Sequence, residues 1–85
     1  MTYRIELSPR ANKALDAIPS TDRRRLIRAI DDLRLSPRPR GAKKLEGGRG
    51  ELRIRVGDYR IIYEVDDNVV RIFVLAIGPR KDIYR

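Results

Sequence analysis

The sequence contains no cysteine and no histidine among its 85 residues. Without cysteine, neither a disulfide nor a zinc site can support so small a core, and the composition suits a reducing compartment. Without histidine, the sequence also excludes His/Cys metal centres, Ser-His and Cys-His nucleophile systems and histidine-based acid–base pairs. We therefore expect a protein that uses neither a metal ion nor another cofactor.

Long apolar runs are absent as well. No stretch approaches the roughly 18 residues of a membrane span, and the N-terminal "MTYRIELSPR" is too short and too polar for a signal peptide. The sequence predicts a cytoplasmic protein without membrane contact. Its length predicts one domain over residues 1–85, with a thin core that buries only about 60–65% of the unfolded surface.

The chain carries a large excess of positive charge. Lys and Arg number 20 against 12 Asp and Glu, which gives a net charge of +8, and 16 of the 20 cations are arginine. Such a charge favours a polyanionic partner or an acidic protein. Simple solubility is the alternative, but it gives no reason to prefer arginine to lysine, whereas forked recognition of phosphate does.

The first half of the sequence predicts a strand followed by two helices. "YRIEL" alternates as a short strand, and Ser8-Pro9 starts a helix that ends before Pro19. Ser20 then caps a second helix that runs to Ser36-Pro37. The short connection predicts an antiparallel helix hairpin packed on a sheet. The apolar positions of the two helices are Ala11, Ala14, Leu15 and Ile18, and Leu26, Ile27, Ile30 and Leu33.

The second half predicts a basic loop and then three strands. "RPRGAKKLEGGRG" has breaks and no period, so we interpret it as a loop. The strands are "ELRIRV", "YRIIYEV" and "VVRIFVLAI", and their turns lie at Gly57-Asp58 and at Asp66 to Asn68. The last strand is apolar almost throughout, which is typical of a central strand covered on both faces. The fold class is α+β, with a three-stranded antiparallel meander that completes a four-stranded sheet.

Three arginines lie in the first hairpin of the meander. With a two-residue turn at Gly57-Asp58, Arg55 pairs with Arg60, so that Arg53, Arg55 and Arg60 share the face opposite the helices. Like charges across strands are destabilising. A preformed phosphate-binding floor explains the cluster. The alternative is a solvated face whose arginines are neutralised by the nearby carboxylates of Glu51, Asp58 and Glu64.

The C-terminal "IGPRKDIYR" interleaves a tyrosine with cations. Arg80, Lys81, Tyr84 and Arg85 together have the composition of a single-stranded nucleic-acid site, where rings stack on bases and guanidinium groups bind phosphates. A frayed basic terminus is the alternative. The same reasoning makes the cations of the basic loop and of this tail candidates for RNA binding: Lys43, Lys44, Arg49, Lys81 and Arg85.

The order of elements, with "KKLEG", "ELRIRVGDYRIIYEV" and "VLAIGPRKDIYR", resembles the RelE/ParE toxin superfamily, and within it the RelE-type ribosome-dependent mRNA endoribonucleases. The resemblance covers Tyr3 to Arg85. It implies a toxin that enters the ribosomal A site, contacts ribosomal RNA, cuts mRNA and is held inactive by an acidic antitoxin from the same operon, in a hetero-oligomer. Carried over by position, the catalytic roles fall on Arg53, Arg55, Arg60, Arg80 and Tyr84.

Two departures from the RelE pattern concern the general base. Relatives often carry lysine where this chain has Arg53 and Arg55, and many carry histidine where it has Pro79. Arginine effectively never loses its proton, so it cannot replace a lysine base. Two other functions stay open: a ParE-like inhibitor of DNA gyrase with the same fold, and an RNA-binding homologue with weak or no catalysis.

Overall fold

In the computed structural model, residues 2–79 are described, and they form two helices and one five-stranded sheet. No helix among these residues is long and apolar enough to cross a membrane. The elements in chain order are β1 (Arg4–Leu7), α1 (Pro9–Ala17), α2 (Ser20–Leu33), β2 (Lys43–Lys44), β3 (Leu52–Val56), β4 (Tyr59–Asp66) and β5 (Arg71–Pro79).

Helix α1 starts as its sequence predicts. Ser8 is the N-cap, its Oγ accepts a hydrogen bond from the Ala11 N–H at 3.0 Å, and Pro9 occupies the first turn. The proline lacks an N–H that would otherwise go unsatisfied there, so the pair defines the helix start sharply. Ala11 and Leu15 are buried and Ala14 half-buried, and the helix packs against β1 and β5.

Helix α2 departs from its prediction at both ends and on one face. Pro19 is the N-cap and makes no side-chain cap, while Ser20 is the first helical residue. The helix ends at Leu33, three residues before Ser36, in a turn where the Arg34 N–H bonds to the Asp31 carbonyl. Leu26, Ile30 and Leu33 are buried as predicted, but Ile27 is 49% exposed. Its assignment to the core was wrong, because the buried stripe is narrower than the apolar pattern.

The sheet has the order β1-β5-β4-β3-β2, and β1 runs parallel to β5 while the other pairs are antiparallel. The predicted four strands were one too few, because Lys43 and Lys44 of the basic loop pair with Arg53 and Leu52 to form β2. Two residues show no detectable period in a sequence. The α+β class and the meander are confirmed.

The main core lies between the helices and one face of the sheet. Tyr63, Leu26, Leu33, Ile61, Ile72 and Val74 are its largest fully buried side chains. The Tyr63 hydroxyl donates a hydrogen bond to the Pro37 carbonyl at 2.7 Å, and burial raises the pKa of that hydroxyl to about 12. This bond fixes the start of the 34–42 connection against β4.

Strand β5 contains a β-bulge that the sequence did not predict. Ile62 pairs with Ala76 and Tyr63 with Val74, so Leu75 is an extra residue in β5. The Leu75 carbonyl accepts a hydrogen bond from Ser8 Oγ at 2.8 Å. As a result Ile77, rather than Ala76, joins the main core beside Ile61, while Ala76 faces the other side.

Candidate nucleic-acid interface

The β3–β4 hairpin brings three arginines to one face of the sheet. The observed register pairs Val56 with Tyr59, Arg55 with Arg60, and Arg53 with Ile62, as the two-residue turn predicted. Ile54 and Ile61 lie between them in the main core, so the arginines point to the opposite side. We call this side, which carries Arg53, Arg55 and Arg60, the arginine face.

The turn that fixes this register depends on Gly57. Its φ is +62°, and Asp58 does not share a positive φ, which are the signs of a type II′ turn. Such a turn follows the twist of the flanking strands without an extra residue. The Gly57-Asp58 pair therefore determines that Arg55 and Arg60 lie directly opposite each other.

A small apolar cluster lies beside the arginines. Ile62 and Ala76 are buried there, and Leu45 and Leu75 pack against them. Leu45 comes from the basic loop. It is the one apolar residue in "KKLEGG", and this was the sequence feature that could have predicted its contact with the sheet. Arg53 and Arg60 are half-buried, whereas Arg55 is exposed. The cluster therefore lies on the arginine face, beside the half-buried Arg53 and Arg60.

The basic loop closes one side of the arginine face. A groove of about 570 Å³ is lined by Lys43, Lys44, Arg53 and Arg55 together with residues 45–48. Lys43 is the direct neighbour of Arg53 across β2 and β3. Arg49 is exposed but does not line this groove. The structure therefore joins four cations of two predicted groups in one concave surface.

The proposed neutralisation by carboxylates does not extend to Arg53. Ion pairs within residues 2–79 involve Glu6, Asp22, Asp31 and Asp67, and none includes Arg53. Glu51 instead accepts a hydrogen bond from the Arg49 N–H. The Nε of Arg53 is buried and has no hydrogen-bond acceptor within residues 2–79.

The remaining predicted site residues, Arg80, Lys81, Tyr84 and Arg85, lie outside the described residues. Strand β5 ends with Gly78 opposite Arg60 and Pro79 opposite Tyr59. Pro79, the last described residue, therefore lies at the same end of the sheet as the Gly57-Asp58 turn. Within the described range, no group of three or more acidic side chains is placed to hold a metal ion.

The hydrogen bonds and the ion pair of Asp67 lie on a different part of the surface. Asp67 accepts hydrogen bonds from the Tyr3 hydroxyl at 2.7 Å and from Arg38 Nη2 at 2.9 Å. The Arg38 hydrogen bond, followed by that of Tyr3, lowers the pKa of Asp67. The bond to Asp67 raises the pKa of Tyr3. These groups link the N-terminus, the 34–42 connection and the β4–β5 turn, and we assign them a structural role.

A family model described as "ParE toxin of type II toxin-antitoxin system, parDE" matches residues 5–84. The chain belongs to the RelE/ParE toxin superfamily. It is 32% identical over 83 residues to the mRNA interferase toxin RelE of Escherichia coli K12, an alignment that covers 95% of this toxin and 86% of that protein. It is 28% identical to toxin RelG of Mycobacterium tuberculosis over 86 residues, covering 100% and 99% of the two chains.

Solved structures show the same fold. The archaeal RelE–RelB complex of Pyrococcus horikoshii contains a chain that superposes with a TM-score of 0.83 at 37% identity, covering 96% of this toxin and 99% of that chain. A chain of the intact E. coli RelBE toxin–antitoxin complex gives 0.80 at 30% identity, with coverages of 91% and 95%. These relatives confirm the RelE-type assignment made from the sequence motifs.

Proposed function

We propose that this toxin is a ribosome-dependent mRNA endoribonuclease. The observation that carries the proposal is the arginine face, where Arg55 and Arg60 lie opposite each other and Arg53 joins Lys43 in one basic groove. A fold stabilised by packing alone gains nothing from like charges on neighbouring strands. The name of the E. coli relative, mRNA interferase toxin RelE, supports the same activity.

The reaction would be an in-line attack of a ribose 2′-hydroxyl on the adjacent phosphorus. The 2′-hydroxyl gives up its proton to a base as its oxygen bonds to phosphorus. The bond between phosphorus and the 5′-oxygen of the next nucleotide breaks and that oxygen takes up a proton, which leaves a 2′,3′-cyclic phosphate and a 5′-hydroxyl end. Nucleophile and target belong to one substrate, so the enzyme supplies orientation and charge stabilisation. In this proposal the scissile phosphate is bound, and its developing negative charge stabilised, by Arg53, Arg55, Arg60 and Arg80.

Proton transfer is the step for which arginine is poorly suited, since its guanidinium stays protonated. Tyr84 is the remaining candidate among the proposed site residues. Its hydroxyl can take part in proton transfer, and its ring can also stack on a base. In this proposal Lys43, Lys44, Arg49, Lys81 and Arg85 hold the RNA backbone of the mRNA and contact ribosomal RNA.

A cognate antitoxin completes the proposed function. The P. horikoshii and E. coli structures are both toxin–antitoxin complexes, and a chain of net charge +8 attracts an acidic partner. We propose that an acidic antitoxin binds this toxin in a hetero-oligomer and prevents RNA access. The complex should then cut ribosome-bound mRNA far more slowly than the free toxin.

The decisive experiment incubates the purified toxin with ribosomes stalled on a defined mRNA and maps the new 5′ ends. We expect a cut in the A-site codon with a 5′-hydroxyl end, and the same cut in EDTA under conditions verified to keep ribosomes intact. A parallel assay of DNA gyrase supercoiling tests the second candidate, which the ParE name of the family model favours. Gyrase inhibition with uncut mRNA would refute the endoribonuclease proposal.

A further inference from the structure

A second groove continues from the basic groove around the edge of the sheet. It has a volume of about 430 Å³ and lies between the end of helix α2, the 34–42 connection and strand β3. Lys43, Arg53 and Arg55 line both grooves, so the two surfaces are continuous. We call the second one the α2–β3 groove. Its volume is within the range of small-molecule sites in proteins.

The short length of β2 leaves room for this groove. Strand β2 pairs only with Leu52 and Arg53, and none of the described strands continues that ladder along the rest of β3. The 34–42 connection borders the space instead, and nothing lies within 4 Å of the Cβ position of its Gly41. The edge of β3 beyond Arg53 therefore connects the arginine face with the helix side of the sheet.

The floor of the α2–β3 groove is apolar. Leu33 and Ile54 are buried in the main core, and they also line the groove. Ala29 and Val56 are half-buried beside them, and Pro39 of the connection is half-buried as well. A flat ring that covers these side chains would remove apolar surface from water. The floor thus suits a ligand with an apolar ring.

One acidic residue, Asp32, is among the described residues that line this groove. It precedes the last residue of helix α2, where the negative end of the helix dipole makes a carboxylate unfavourable. Its neighbour Asp31 is compensated by an ion pair with Arg34 at 3.1 Å. Asp32 forms no ion pair within residues 2–79. Helix stability therefore gives no reason for a carboxylate at this position.

The two walls of the α2–β3 groove carry opposite charges. Lys43, Arg53 and Arg55 lie on the sheet side, whereas Asp32 and the carbonyl end of α2 lie on the helix side. A phosphate is attracted to the first wall and repelled by the second, and an acidic side chain meets the same repulsion. A nucleotide suits both walls, because its base is an apolar ring whose N–H groups can donate to a carboxylate.

We propose that the α2–β3 groove binds one base of the mRNA and that Asp32 selects this base. The scissile phosphate stays on Arg53 and Arg55, so the base belongs to one of the two nucleotides that flank the cut. The Asp32 carboxylate only accepts hydrogen bonds, so it favours guanine, adenine and cytosine, which carry amino groups, over uracil. The inference rests on the proposed function in taking mRNA as the ligand, and it makes Asp32 a specificity-determining residue.

The first test measures cleavage of A-site codons that differ at one of the two positions flanking the cut. At one of them, wild-type toxin should cut codons with an amino-bearing base at least about tenfold faster than the uracil codon. Asp32→Asn should reduce this ratio to less than about threefold, because an amide can also donate to a uracil carbonyl. Asp31→Asn is the matched control, since Asp31 does not line the groove, and it should keep the wild-type ratio.

Urea unfolding of the same variants distinguishes base selection from a structural role. Asp32→Asn should not lower the unfolding midpoint, because Asp32 has no ion pair to lose within residues 2–79. Circular dichroism first verifies that both variants are folded. A lowered midpoint together with an unchanged base preference would show that Asp32 is structural and would overturn the proposal.

The second test reads binding without cleavage, by NMR titration of the toxin with single nucleotides. Cytidine 5′-monophosphate should shift the methyl signals of Leu33, Ile54 and Val56, which line the groove. Ribose 5-phosphate has no base and should leave these signals in place. Uridine 5′-monophosphate should bind wild type more weakly than the cytidine nucleotide and Asp32→Asn equally well. Methyl signals that no nucleotide shifts would overturn the proposal.

The two tests together separate this inference from the proposed function. If wild-type toxin cuts no mRNA, yet the cytidine nucleotide shifts the methyl signals and Asp32→Asn loses the preference, the proposed function fails and the base site stands. If the toxin cuts all these codons at one rate and Asp32→Asn behaves as wild type does, the base site is wrong and the endoribonuclease proposal stands.

Discussion

Adjacent residues of strand β4 serve different purposes. Arg60 lies on the arginine face, and Ile61 is fully buried in the main core. The parity of the strand alone predicts this division once the two-residue turn is recognised. The two positions should therefore respond to truncation in opposite ways.

Arg60→Ala should lower the rate of mRNA cleavage by roughly 10²–10³, because a donor to the developing negative charge is lost. Arg80→Ala should have a similar effect. Single-turnover cleavage on stalled ribosomes measures both, with Arg10→Ala, an exposed position on α1, as the matched control. Folded Arg60→Ala and Arg80→Ala variants that cut at the parent rate would contradict the assigned roles.

Ile61→Ala should instead reduce stability, by about 2–5 kcal/mol, since it opens a cavity in a fully buried site. Urea unfolding monitored by tyrosine fluorescence gives the free energy of unfolding. The folded fraction should retain its cleavage rate. If Ile61→Ala instead lost little stability and most of its cleavage activity, Ile61 would have a direct role in cleavage, and the separation of roles between Ile61 and Arg60 would be wrong.

Tyr84→Phe distinguishes the two roles proposed for the tyrosine. Stacking requires only the ring, so a stacking role predicts near-normal cleavage. A role in proton transfer requires the hydroxyl and predicts a loss of roughly 10²-fold or more. Cleavage rates measured over a range of pH would show in addition whether an ionisation of the wild type disappears in the variant.

Among the structural elements, those with a long or sharply bounded pattern could be predicted. Helix α1 has a Ser-Pro start, and the β3–β4 hairpin has a Gly-Asp turn, so both follow from local chemistry. Strand β2 could not be predicted because two residues form it only through pairing with β3. The exposure of Ile27 likewise depends on how α2 lies on the sheet, and helical periodicity does not determine that angle.

The hairpin turn offers a test of its own. Gly57→Ala should destabilise the toxin by about 1–2 kcal/mol, because alanine resists the positive φ at this position. The new Cβ would also lie 3.1 Å from an Arg25 guanidinium nitrogen, although this flexible end can move. Gly41→Ala, where φ is not positive and the space is open, should be near neutral. Chemical unfolding midpoints compare the two, and equal midpoints would exclude turn strain.

For the molecule as a whole, distant segments are joined by the Asp67 hydrogen bonds. Tyr3, Arg38 and Asp67 come from the N-terminus, the 34–42 connection and the β4–β5 turn. The hydrogen bond from Arg38 holds the pKa of Asp67 below its ordinary value of 3.8. Stability from this group is therefore present above that value and is lost as the pH falls through the lower folded-state pKa.

Asp67→Asn should accordingly make the toxin less sensitive to acid. Thermal unfolding between about pH 5 and pH 2 should show a steeper fall of Tm in the wild type than in Asp67→Asn, since the variant has no carboxylate to protonate. Asp16→Asn, an exposed position without a described ion pair, is the control and should keep the wild-type slope. Identical slopes in all three proteins would refute this linkage.

The bulge at Leu75 serves the start of helix α1 more than it serves the sheet. Residues 71–74 pair with both β1 and β4, residues 76–79 pair with β4, and Leu75 is the extra residue between these two stretches. Deleting Leu75 would make Val74 and Ala76 neighbours opposite Tyr63 and Ile62, so the register with β4 and the burial of Ile77 would be kept. The deletion would instead remove the carbonyl that accepts the Ser8 Oγ hydrogen bond. A single-residue deletion here should thus loosen the junction between β1 and α1 while the sheet keeps its pairing.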